Sequence, residues 1–113
     1  MSNIATLAGS LDLSVCTHLR RVWADGTSLT QIRLPQGGCL ELVQYPSTNR
    51  YLTLQNFPLL KQEGVLIDDC AGKITDFFVS DCPKLNPVDL LIKIMDAQQE
   101  QGEAHALKRV RAV

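Results

Sequence analysis

Three stretches rich in β-forming residues, separated by two short turn segments, constrain the fold of this chain most strongly. The stretches span residues 27–34, 39–45 and 50–56. The segments between them, Pro-Gln-Gly-Gly and Pro-Ser-Thr-Asn, are rich in turn residues and have hairpin length. In the third stretch Leu52 and Leu54 alternate with less apolar residues, which indicates a strand with one apolar face. The pattern predicts an antiparallel sheet that is covered on one side.

A second hairpin is predicted further along the chain. Residues 65–68 and 73–80 flank the four-residue turn Asp-Cys-Ala-Gly. Residues 57–64 precede this hairpin, with Pro58 suited to a first helical turn and Gly64 to the position after a helix end. We therefore expect one or two helical turns between the two hairpin regions.

The clearest helix signal begins at Asn86. This residue is expected to cap the helix, with Pro87 in the first turn and Asp89 near the positive end of the helix dipole. The apolar side chains that follow recur at helical spacing, so we expect the helix to be buried on more than one side. They are Val88, Leu90, Leu91, Ile92, Ile94 and Met95.

Two interpretations are open for residues 14–25. Ser14 can cap a helix that ends before Gly26, with an apolar side that includes Val22 and Trp23. The dipeptide Asp-Gly at 25–26 is also a hairpin signal, which would pair residues 19–24 with 27–34. The helix is the favoured interpretation.

These elements predict an α+β fold in the order α-β-β-β-α-β-β-α. It consists of an antiparallel sheet of about five strands, with an N-terminal and a C-terminal helix packed on one face. The length of 113 residues, with 45% hydrophobic and 20% charged residues, fits one globular domain. We assign residues 1–101 to this domain and residues 102–113 to a basic C-terminal tail or short helix.

The distribution of apolar and charged residues bounds where such a chain acts. No apolar run approaches the ~20 residues of a membrane span. The N-terminal residues lack the pattern of a signal peptide, so we expect a cytoplasmic location with no membrane partner. The cysteines, Cys16, Cys39, Cys70 and Cys82, are then expected to be reduced and mostly buried.

No arrangement of reactive residues stands out as a catalytic or metal site. Cys16 and His18 would point apart on the favoured helix. The four cysteines with His18 and His105 lack the closely spaced pairs of structural zinc sites. We therefore predict no catalytic, cofactor-binding or metal-ligating residues and expect that the protein is not an enzyme.

Two further groups favour structural roles over ligand binding. The carboxylates Asp68, Asp69, Asp76 and Asp81 lack the spacing of a calcium-binding loop, and a turn and surface role is the preferred interpretation. The Gly-Gly pair at 37–38 is not followed by the Lys-Ser/Thr of a phosphate-binding loop, so we interpret it as a hairpin turn.

The functional prediction is a non-catalytic protein-binding module, such as an adaptor, inhibitor or chaperone, most simply a homodimer. Tyr, Trp and Arg side chains dominate binding energy at interfaces, and several are predicted near one hairpin. The basic C-terminus is a second candidate surface. The predicted interface residues are Trp23, Tyr45, Arg50, Tyr51, Leu107, Lys108, Arg109 and Arg111.

Two alternatives remain open. The first is a nucleic-acid-associated regulator that uses Arg20, Arg21 and the basic C-terminus, although a net charge of −1 argues against a broad basic face. The second is a small-molecule-binding protein or small enzyme with a pocket between the sheet and the helices.

Overall fold

A computed structural model describes residues 8–102 and 106–112 of the chain. Within these residues the backbone forms eight β-strands, one α-helix and two 3₁₀ turns, Gln62–Gly64 and Ala71–Lys73. The strands are β1 Ala8–Asp12, β2 Arg21–Trp23, β3 Ser28–Arg33, β4 Leu42–Gln44, β5 Tyr51–Gln55, β6 Val65–Leu66, β7 Asp76–Ser80 and β8 Arg109–Ala112. The helix, α1, spans Pro87–Glu100 and connects β7 to β8.

All strand pairs in the described residues are parallel, and the chain winds as a short solenoid. One side of the winding carries the pair β1–β3 and, next to it, the sheet β5–β7–β8. The other side carries the sheet β2–β4–β6. Successive coils of the winding contribute one strand to each side. In the coil that follows β6, α1 takes the place of the strand on the side of β2, β4 and β6.

The predicted antiparallel sheet with two flanking helices is therefore wrong. Residues 27–34, 39–45 and 50–56 do contain strands, but strands joined by a short turn belong to different sheets. The turn chemistry of a hairpin and of a solenoid corner is the same, because both reverse or bend the chain with Gly, Pro and Asn. Contacts between successive coils decide which of the two forms.

The core lies between the two sides of the solenoid and is built from stacked rows of inward-facing side chains. Leu52 lies opposite Phe77 and Leu54 opposite Val79 in the register of β5 and β7, and all four are fully buried. Val43 on β4 and Leu29 on β3 are buried in the same core. Each coil thus covers the apolar row of its neighbour, which is how a solenoid is stabilised.

The favoured N-terminal helix at residues 14–25 is also wrong. Residues 14–18 form successive turns, in which the Cys16 N–H donates to the Leu13 carbonyl at 3.0 Å. They lead into β2, where Val22 is buried between two exposed neighbours, as in a strand. The rival hairpin is correct in placing strands on both sides of Gly26, which has a φ of 81°. It is wrong in pairing them, because β2 pairs with β4 and β3 with β1.

The predicted second hairpin does not form either. Its two segments contain β6 and β7, which lie on opposite sides of the solenoid and are separated by the 3₁₀ turn Ala71–Lys73. Of the helical turns predicted at 57–64, only Gln62–Gly64 is helical. Gly64 is buried where its coil crosses the previous one, and a Cβ atom there would overlap the backbone carbonyl of Glu41. Close approach of two coils explains this glycine better than a helix end.

The helix predicted from Asn86 is confirmed. The Asn86 Oδ1 atom accepts the backbone N–H of Val88 at 3.1 Å and that of Asp89 at 3.3 Å, so the cap has the expected geometry. The predicted burial on more than one side is wrong. The helix is buried through Leu90, Ile94 and Gln98, because it packs on one preceding coil. Its exposed apolar side chains are Val88 at 62%, Ile92 at 50% and Met95 at 54%.

The described part of the C-terminal segment is held to the body of the protein. The Gln98 side chain donates to the Ile74 carbonyl at 2.8 Å and accepts the Leu107 N–H at 3.2 Å. Residues 109–112, predicted as part of a tail or short helix, form β8. His105 and the N-terminal residues 1–7, on which the cysteine–histidine and signal-peptide interpretations partly rest, lie outside the described residues. Within 8–102 and 106–112, no helix is long and apolar enough to cross a membrane.

Candidate protein-binding surface

The side of the solenoid that carries β3, β5, β7 and β8 presents its alternate side chains to solvent. In the register of these strands, Tyr51, Asp76 and Arg109 form one row across the sheet. Thr53, Phe78 and Arg111 form the next row. We call this surface the outer face. It consists of Gln31, Arg33, Tyr51, Thr53, Gln55, Asp76, Phe78, Arg109 and Arg111.

Neighbouring side chains on the outer face contact each other across the strands. The Arg111 guanidinium carbon lies 5.2 Å from the centroid of the Phe78 ring, which is a cation–π contact. The Arg109 Nη1 atom lies 3.9 Å from the Asp76 Oδ2 atom, a loose ion pair between an exposed arginine and a half-buried carboxylate that contributes little to stability. Both guanidinium groups remain accessible to a partner.

A groove crosses the outer face between β3 and β5. The two strands are joined at their ends, where the Arg50 N–H donates to the Thr30 carbonyl at 2.9 Å and the Gly37 N–H to the Asn56 carbonyl at 2.7 Å. Between these points β3 and β5 form no strand ladder in the described residues and belong to different sheets. The resulting groove has a volume of ≈ 280 Å³.

The groove combines polar walls with an apolar interior. Its outward-facing lining residues are Ser14, Gln31, Arg33, Gln36, Tyr51, Thr53 and Gln55. The buried residues Ile32, Leu34 and Phe57 also line it. The Gln36 Nε2 atom donates to Gln55 Oε1 at 3.0 Å across the groove. These groups offer hydrogen bonds, stacking and one positive charge, which are means of recognition.

The predicted interface residues fall in different places. Tyr51, Arg109 and Arg111 lie on the outer face, and Arg50 is exposed immediately before β5. Lys108 is exposed before β8, whereas Leu107 is partly buried against the core. Trp23 lies on β2, in the opposite sheet, and is 55% exposed. The structure thus brings together three of these side chains and separates the others.

Tyr45 is the predicted interface residue that the structure places in the core. It is 1% exposed, and its hydroxyl has no hydrogen-bond partner among the described residues. Burial raises the pKa of the Tyr45 hydroxyl well above its usual value. Burial also raises the pKa of the Cys70 thiol to about 12. Both groups are therefore neutral and inert at physiological pH.

The other reactive residues remain dispersed. Cys16 and His18 are exposed in the turns before β2, Cys39 is half-buried, and Cys70 and Cys82 are buried as free thiols. Asp68 forms an ion pair with Lys93 of α1, and Asp76 with Arg109. Across the part of the chain that the structure describes, no three His, Cys, Asp or Glu side chains are grouped closely enough to hold a metal ion.

The two alternative functions depend on other parts of the molecule, a basic surface and a pocket beside the helix. Arg20 and Arg21 lie at β2 in the first coil, whereas the basic residues of β8 lie in the opposite sheet and the last coil. Leu90 and Ile94 of α1 are buried in the core, and a second depression, lined in part by Asp68, Lys93 and Asp96, lies beside the helix.

Sequence reasoning missed most of the outer face, including Gln31, Arg33, Thr53 and Phe78. A detectable signal is the apolar spacing of Leu29, Ile32 and Leu34, which recurs at Ile74, Phe77 and Val79. This L-x-x-L-x-L spacing is typical of solenoid repeats, including the leucine-rich type. The recurring spacing indicates that the residues between the apolar positions lie together on one exposed surface.

No family model, curated protein or solved structure matches this chain significantly.

Proposed function

We propose that this protein is a non-catalytic protein-binding module, acting as an adaptor, inhibitor or chaperone through its outer face. The observation that carries this proposal is the presence of Tyr51, Phe78, Arg33 and Arg111 together on the outer face, beside a groove. Aromatic and arginine side chains contribute most of the energy of protein interfaces. The extended faces of solenoids are the surfaces that these proteins use for binding.

The buried side chains beneath the outer face hold its aromatic residues in place, which favours binding by a rigid surface. Tyr51 and Phe78 are half-buried, and each alternates with inward side chains that are fully buried. Side chains held in this way lose little conformational entropy when a partner binds. Arg33 is exposed at the end of β3, where it lines the groove and is paired in register with Asp12 of β1. The partner is another protein or a second copy of the chain.

The test compares two double variants of the full chain. The first, Arg33→Glu with Tyr51→Ala, alters the groove. The matched control, Arg21→Glu with Trp23→Ala, makes the same types of change on exposed residues of β2 in the opposite sheet. Partners are captured from a lysate of the native cell, purified and measured by titration calorimetry, and light scattering gives the mass of the free protein. Thermal unfolding verifies that both variants are folded.

We expect a stoichiometric partner whose Kd rises at least about tenfold, or about 1.4 kcal/mol, in the groove variant and stays unchanged in the control. A second copy of the chain as partner would appear as a dimer that the groove variant converts to a monomer. The proposal is wrong if every captured protein binds both variants equally, or if the β2 variant alone loses binding.

A further inference from the structure

We propose that the free edge of β8 binds an extended acidic segment of the partner, which pairs with β8 as an additional parallel strand. This inference rests on the proposed function and names the chemistry of the partner at one edge of the outer face. It is carried by three observations, on the backbone, on Val110 and on the charges of β8.

The backbone of β8 has one open side. The strand pairs with β7, and within the described residues no strand pairs with its other edge. The Arg109 N–H donates to the Thr75 carbonyl at 3.1 Å, so the backbone N–H and C=O of Arg109 and of Arg111 point towards β7. In a parallel ladder the N–H and C=O of Val110, the residue between them, point the opposite way. An added strand would pair with these groups, as in β-augmentation.

Val110 shows that the stack of inward side chains is incomplete at this edge. It occupies the same inward row as Leu52 and Phe77. Phe77 lies between β5 and β8 and is 1% exposed, whereas Val110 lies on the edge strand β8 and is 46% exposed. An apolar side chain from an added strand would cover Val110 in the way that Val110 covers Phe77.

The charges of β8 select the partner. Lys108, Arg109 and Arg111 are exposed, and the one ion pair that involves them in the described residues is the loose contact with Asp76. Arginines on an edge strand repel a second copy of the same edge. A strand with acidic residues on the outer side and apolar residues on the inner side matches both the arginines and Val110.

The test uses capped heptapeptides and the full-length protein. In the first peptide glutamate alternates with valine, and in the second glutamine replaces each glutamate. The third is the first peptide with the backbone N–H groups that face β8 methylated. Binding is followed by NMR through the amide signals of residues 108–112, and Kd values are obtained by titration.

We expect the glutamate peptide to shift the Val110 amide signal and the glutamine peptide to bind at least tenfold more weakly. The methylated peptide should lose binding, because charge without strand pairing is insufficient. The variant Arg109→Glu with Arg111→Glu should lose the glutamate peptide and bind a lysine–valine peptide instead. The groove variant Arg33→Glu with Tyr51→Ala should bind the glutamate peptide unchanged.

Equal binding of the glutamate and glutamine peptides, or retained binding of the methylated one, would overturn the edge proposal. Either result leaves the outer-face function intact if the captured partner still depends on Arg33 and Tyr51. Conversely, a peptide that binds β8 while no partner depends on those two residues supports the edge alone.

Discussion

At the scale of single residues, three neighbouring polar groups in the core behave differently from their exposed counterparts. The Tyr45 hydroxyl and the Asn49 Oδ1 atom are buried and have no hydrogen-bond partner among the described residues. The Cys70 thiol lies 3.6 Å from the Ile67 carbonyl and is also buried. Ionisation of Tyr45 or Cys70 would place a charge in this apolar environment, which explains the direction of both pKa shifts.

These residues predict a loss of stability at alkaline pH. The Cys70 thiol has a pKa of 9.0 in the unfolded chain and about 12 in the folded protein. It therefore does not lower the free energy of unfolding below pH 9, where both states are protonated. As the pH rises from 9 towards 12, the unfolded state ionises first, and the free energy of unfolding should fall by up to about 1.4 kcal/mol per pH unit for this group. Urea unfolding at pH 8, 9, 10 and 11 measures this slope.

Two variants test whether the Cys70 thiol causes the pH dependence of the free energy of unfolding. Cys70→Ala should reduce the slope, whatever its effect on stability at pH 8, and the part that remains is expected from Tyr45 and Cys82, whose pKa values are also raised by burial. Cys16→Ala, at an exposed thiol, should leave it unchanged. A Cys70→Ala protein with the wild-type slope would show that the thiol ionises as readily in the folded protein as in the unfolded chain.

At the scale of elements, three successive coils turn after their outer-face strands through a residue with a left-handed backbone. Gly37, Asn56 and Asp81 follow β3, β5 and β7 with φ values of 68°, 60° and 55°. The Gly37 N–H donates to the Asn56 carbonyl, and the Asn56 N–H to the Ser80 carbonyl, so these corners stack on each other. Gly, Asn and Asp are the residues that adopt this conformation at least cost.

Contacts between coils also predict unequal effects of two glycine substitutions. Gly64→Ala places a Cβ against the Glu41 carbonyl, a backbone group that cannot move aside, and should cost about 2–3 kcal/mol. Gly72→Ala meets only the end of the exposed Gln101 side chain, which can rotate away, and should cost less than about 1 kcal/mol. Urea unfolding of both variants at neutral pH gives the comparison. Equal losses would show that the coils can separate at Gly64.

The elements that could be predicted from sequence are those whose signals are local. The Asn86 cap and Pro87 identify α1, and alternating residues such as Leu52 and Leu54 locate β5. Strand pairing could not be predicted, because parallel partners are about twenty or more residues apart and the turns between them resemble hairpins. The outer face is defined by the pairing of parallel strands. The sequence alone therefore predicts Tyr51 as an interface residue but does not predict Arg33 or Phe78, which lie near it on the surface.

At the scale of the whole molecule, a solenoid has a stability that varies along its winding. Coils contact mainly their neighbours, so inner coils are supported on two sides and end coils on one. β5 and β7 carry fully buried side chains, whereas Gly9 and Ser10 of β1 are exposed. Opening should therefore begin at the ends of the winding.

Hydrogen exchange should reveal this gradient. We expect amides in β5 and β7 to exchange at least about tenfold more slowly than those in β1 and β8, because the end strands open without unfolding the centre. Mass spectrometry of peptic fragments after exchange measures the rates, and α1 provides an internal reference. Uniform protection across all strands would indicate a single cooperative unit instead.

The alternation of side chains on β3, β5 and β7 separates two sets of evolutionary constraints within one short sequence. Inward residues such as Leu52 and Phe77 are constrained by packing in the core. Outward residues between them, such as Thr53, are constrained by the contacts that the surface makes. The outward residues can therefore be substituted during evolution while the inward residues are conserved. Descendants of such a gene would keep their architecture while the chemistry of the outer face changes.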